Sequence, residues 1–114
     1  MINTLTGIMT MLQGLEIGFS GLVEPSGNNG SWLVITPSGE PDRFFNHSRE
    51  EPMQFQILTK HSNQLTAIQH IDAIKDALEY FGIETYTQPS RVEQDEKRSL
   101  YTALFRTKIT KGAN

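Results

Sequence analysis

Between Pro52 and Phe81 the hydrophobic pattern of the chain changes period once. Met53, Phe55 and Ile57 alternate with Gln54 and Gln56, the spacing of a strand whose successive side chains leave on opposite sides. Lys60 shares the parity of the glutamines, so the pattern predicts a wet face carrying Gln54, Gln56 and Lys60. From Leu65 onwards the period lengthens. Leu65, Ile68, Ile71, Ile74, Leu78 and Phe81 recur at steps of three and four, which places one apolar stripe along a helix. Ser62 or Asn63 is positioned to cap that helix and Gly82 to end it. The strand and helix are expected to share a core.

The flanking segments follow the same logic. Ile2, Leu5, Ile8, Leu12 and Leu15 predict a first helix, with Asn3 or Thr4 at its cap. The run Pro25-Ser26-Gly27-Asn28-Asn29-Gly30 is a turn cluster. Trp32 to Thr36 then reads as a short strand stopped by Pro37-Ser38-Gly39, and residues 37 to 52 as a polar loop. After Gly82, Ile83 to Gln88 predicts a strand closed by Pro89-Ser90, and a charged run from Glu93 to Arg98 leads into a longer strand, Ser99 to Ile109. In that last strand Tyr101, Ala103, Phe105, Thr107 and Ile109 share one face, whereas Leu100, Thr102 and Leu104 take the other. The order α-β-β-α-β-β predicts an α+β fold, a mostly antiparallel four-stranded sheet with two helices packed on one face. At 114 residues the expectation is a single domain over 1–114.

Composition narrows the classes. The absence of cysteine excludes a disulfide framework, a thiolate metal site and a cysteine nucleophile. No apolar run approaches the roughly 18 residues of a membrane span, and the N-terminus lacks the pattern of a signal peptide, so action without membrane passage is expected. The net charge of -3 argues against a nucleic-acid partner, but its distribution is uneven. Residues 1–96 hold five basic side chains against thirteen acidic ones, a net of -8, and residues 97–114 hold Lys97, Arg98, Arg106, Lys108 and Lys111 with no acid, a net of +5. Such a chain can complement copies of itself, or its charge can be plain solvated surface.

Candidate chemistry is sparse. The glycines precede a strand rather than joining a strand to a helix, so neither a phosphate loop nor a dinucleotide fingerprint is present. His61, His70, Asp72 and Asp76 are near in sequence, but His70 and Asp72 do not share a helix face, and no metal site is expected. Ser48 or Ser62 beside His47 or His61 lacks the usual geometry of a nucleophile and its base, and Glu50-Glu51 and Asp95-Glu96 read as solvated loop charge. No catalytic residue and no cofactor is expected. Phe44 and Phe45, set among polar residues, either continue a strand, anchor the loop on the core or offer an aromatic anchor to a partner subunit.

The strand Pro52-Met-Gln-Phe-Gln-Ile-Leu-Thr-Lys60 and the helix Gln64-Leu-Thr-Ala-Ile-Gln-His-Ile-Asp-Ala-Ile-Lys-Asp-Ala-Leu78 together resemble the small tail-terminator, or minor-capsid, proteins of long-tailed bacteriophages. The resemblance extends to about two thirds of the chain, with the first helix and last strands matching in order rather than residues. It implies a virion protein without enzymatic activity. Such a protein forms a ring, usually a hexamer, on the last ring of the tail tube protein, stops tube growth, and offers a surface to the head connector. On this reading Arg98, Arg106 and Lys108 are expected to face Asp72, Asp76 or Glu79 of a neighbouring copy. A head-completion subunit would need the same architecture, and a small-ligand-binding or regulatory domain is the reading from another class.

Overall fold

The computed structural model describes residues 4–36, 50–94 and 97–110. Its elements are α1 (Leu5–Gln13), β1 (Gly30–Thr36), β2 (Glu50–His61), α2 (Gln64–Tyr80), β3 (Glu84–Gln94) and β4 (Ser99–Thr110). The strands form one open sheet in the order β1-β2-β4-β3, with every neighbouring pair antiparallel. Both helices cover the same face, so the expected α+β architecture is the one observed.

Periodicity explains the layers. The odd-numbered side chains Leu33, Met53, Phe55, Ile57, Tyr101, Ala103 and Phe105 meet Ile8 and Leu12 of α1 and Ala67, Ile71, Ile74 and Leu78 of α2 in one buried cluster. Phe55 and Phe105 stand opposite each other in register and stack with ring centroids 5.6 Å apart. Two hydroxyls also enter this face, and they satisfy each other: Ser31 Oγ lies 3.0 Å from Thr59 Oγ1 and donates to the Ile17 carbonyl at 3.2 Å.

Local signals fix the helix ends. Thr4 caps α1 by accepting from the Gly7 N–H, and Asn63, rather than Ser62, caps α2 by accepting from the Thr66 N–H. At the far end of α2 the Ile83 N–H returns to the Leu78 carbonyl and the Gly82 N–H to Glu79, the paired bonds of a Schellman motif. Gly82 takes φ 86 there, a conformation that a side chain would strain.

Four local expectations are corrected. Pro89-Ser90 does not close β3, which runs on to Gln94; β3 is an edge strand, where a missing N–H is tolerated, and its register shifts between Thr87 and Ser90. β2 starts at Glu50, inside the expected loop. Leu65 is not part of the α2 core stripe but 63% exposed, because the buried arc is centred on Ile71, Ile74 and Leu78. Lys60 lies on the face opposite the helices as expected, yet it is only 2% exposed. Residues 37–49, with Phe44, Phe45, His47 and Ser48, lie outside the described residues, as do Asp95 and Glu96.

Candidate functional site

One face of the sheet is roofed by helices and the other carries no helix among the described residues. On the uncovered face Val34, Gln56 and Leu104 form one cross-strand row and Gln54 and Arg106 the next, with Glu84 beyond Arg106 on β3. Leu58, Leu100 and Leu104 are half-buried there and Val34 is exposed. Their polar neighbours are tied down: Gln56 Nε2 donates to Thr102 Oγ1 at 2.8 Å, and that hydroxyl donates to the Ile57 carbonyl at 3.0 Å.

The β1 end of this face is closed by a charged cluster. Lys60 Nζ donates to Glu24 Oε2 at 2.8 Å and to the Pro25 carbonyl at 2.6 Å, and it lies 5.5 Å from the centre of the Trp32 ring. The burial of a lysine is tolerable because its charge is met by a carboxylate, a carbonyl and an aromatic face. Arg98 reaches the same Glu24 oxygen at 3.7 Å and Glu93 at 3.1 Å. The hydrogen bond from Lys60 holds the Glu24 carboxyl below its ordinary range, against the opposing pull of desolvation. The turn that brings Glu24 here depends on Gly30, at φ 149, where a Cβ would come within 2.5 Å of the Pro25 ring. Pattern reading does not find this cluster, since Glu24 and Lys60 are joined only by the turn's path over the sheet.

The candidate interface residues fall on two opposite surfaces. Asp72, Asp76 and Glu79 are exposed on the outer side of α2, away from Ile71, Ile74 and Leu78. Arg106 and Lys108 are exposed on the uncovered face of the sheet, at its β2–β4 end. Within one copy the helix and sheet layers separate the two sets. Arg98 is instead engaged inside its own chain by Glu93 and Glu24. Glu79 also has intramolecular partners, Thr85 at 2.7 Å and Lys75 at 3.4 Å, and these hold its carboxyl below the usual range, with the Thr85 hydrogen bond first. Arg106 lies 4.8 Å from the centre of the Tyr86 ring, which steadies its guanidinium on the open side.

Two apolar side chains complete these surfaces, and the sequence pattern alone does not single them out. Tyr80, one turn beyond Asp76, is 84% exposed, and Leu104 lies two residues before Arg106 on the open sheet. His61 and His70, considered above for a metal, meet edge to face with centroids 5.7 Å apart, but Asp72 and Asp76 face outward. Among the described residues no three histidine or acidic side chains gather as a metal site, and no helix is long and apolar enough to cross a membrane. Against protein-family models and against curated proteins the chain finds no match.

Proposed function

We propose that this chain is a bacteriophage structural subunit that assembles as a ring on the end of the tail tube, ends tube polymerisation and presents the head-joining surface. The observation that carries the reading is the placement of Asp72 and Asp76 on the helical side of the fold and of Arg106 and Lys108 on the opposite side. Acid and base on opposite sides favour a heterologous contact, in which each copy uses one surface towards the copy ahead and the other towards the copy behind; such contacts close into rings when the rotation allows. The resemblance of residues 52–78 to tail terminators supplies the tube, the head connector and the virion as the setting, with a hexamer as the expected ring. Catalysis has no part in this role.

The test is electron microscopy of growing tail tubes with and without the purified protein. The expected result is a ring of extra density on one tube end and tubes that stop at a defined length. Bare ends and unchanged lengths at saturating protein would overturn the proposal. The tube end is where the proposed ring acts, so the tube-bound state is the one to score.

A further inference from the structure

We infer that the sheet face that carries no helix among the described residues is the seat for the outer side of α2 from a second copy of this chain, with Asp76 on Arg106, Asp72 on Lys108 and Tyr80 over Leu104. The inference deepens the self-assembly part of the reading above and rests on it, but does not require a tail tube.

Spacing on the two surfaces argues for this occupant. Asp72 and Asp76 are one helical step of four apart, about 6 Å along the axis, and they face outward together. Arg106 and Lys108 are two residues apart on one strand face, about 6.7 Å, and both are exposed. The two pairs therefore match within about 1 Å when the helix lies along β4. The apolar ends match in the same alignment. Tyr80 lies one further helical step beyond Asp76, and Leu104 one further strand step before Arg106. Running the helix the other way would set Asp72 on Arg106 and leave Tyr80 beyond Lys108, away from Leu104. Ala73, exposed beside Asp72, gives the helix a low shoulder for close approach. The contact covers half-buried aliphatic side chains on the sheet and an aromatic ring on the helix, the pairing of apolar anchor and charged rim found in specific interfaces. It is heterologous, since neither surface meets its own copy.

The absence of native cysteine makes the test direct. Tyr80→Cys and Leu104→Cys chains, each checked for an unchanged circular-dichroism melt, are mixed in equal amounts and oxidised mildly at high protein concentration. The mixed disulfide is expected to exceed either homodimer at least tenfold. Arg106→Glu with Lys108→Glu in the Leu104→Cys chain should remove that excess, and Asp72→Lys with Asp76→Lys in the Tyr80→Cys chain should restore it. Disulfides in statistical proportion, or none, would overturn the docking geometry whether or not rings appear on tube ends. Rings on tubes without the mixed disulfide would leave the tube-capping role standing and remove only this contact; the mixed disulfide without rings would do the reverse.

Discussion

Phe55 and Gln56 are adjacent in β2 and point to opposite sides of one sheet, and the two sides obey different rules. On the Phe55 side β1, β2 and β4 contribute to a single apolar cluster sealed by α1 and α2. On the Gln56 side aliphatic residues are interleaved with glutamine, threonine and arginine, and among the described residues the Glu24–Pro25 turn closes one end. The first side is where folding free energy is concentrated, because apolar burial and close packing carry it. The second retains aliphatic area that the described residues leave partly exposed. Mutations should separate the two sides by size. Phe55→Ala is expected to destabilise by about 3–5 kcal/mol, the range for emptying an aromatic site in a sealed core. Leu104→Ala, half-buried on the open side, should remain near or below about 1 kcal/mol. Urea midpoints of both variants give the comparison. Equal losses would mean that the open side is covered in solution, and a Leu104→Ala effect that shrinks on dilution would identify the cover as another copy.

This contrast was partly legible in the sequence. Strict alternation in Met53–Ile57 is enough to assign its inward side, because a period of two has one solution once a helix stripe is available to cover it; in Tyr101–Phe105, where Leu104 interrupts the alternation, the two aromatic ends mark the inward side. The same rule assigned Lys60 to the outer side but not its burial. Burial there arises from a turn more than thirty residues earlier, and parity along a strand has no knowledge of what a distant loop lays over it. The end of β3 was misread for a related reason. Proline cannot donate to a ladder, but whether a strand leaves a side free for it is decided by its pairing, and among the described strands β3 pairs with β4 alone. Asp72, Asp76, Arg106 and Lys108 were legible as charges; their segregation to opposite surfaces followed only from the packing.

The Lys60 cluster sits where the two sides come closest in character, and it sharpens the comparison at the next level of effect. Lys60→Ala removes the stem that fills the space under Trp32 and leaves the Pro25 carbonyl without its donor, so a loss of roughly 1–3 kcal/mol is expected. Lys60→Met keeps the stem and removes the charge, and Glu24 still has Arg98 at 3.7 Å. Both variants leave the Pro25 carbonyl without its donor, so Lys60→Met should lose about 1 kcal/mol and less than Lys60→Ala, the difference being the packing of the stem. Thermal melts of the two variants distinguish packing from charge. A Lys60→Met loss as large as that of Lys60→Ala would show that the ammonium itself holds the turn.

The smallest effect concerns the rim of the sealed side, where His61 at the end of β2 meets His70 on α2. Nδ1 of His70 is buried without a hydrogen-bond partner, and the surrounding apolar wall, followed by the nearby His61, lowers the pKa of His70 below its ordinary 6.5. A base whose pKa is depressed on folding binds protons more readily when unfolded. Stability is therefore complete above about pH 6.5 and declines as the pH falls below that value towards the folded pKa. Replacing His70 with glutamine should flatten the profile in this window and leave the neutral-pH stability nearly unchanged, because the imidazole is uncharged there. Urea midpoints between pH 7 and pH 5 check it, and they stay above the range in which Glu24 and Glu79, both with lowered pKa values, begin to lose their charge. An identical slope in the His70→Gln chain would assign the acid sensitivity to another group and return the His70 contact to ordinary rim packing.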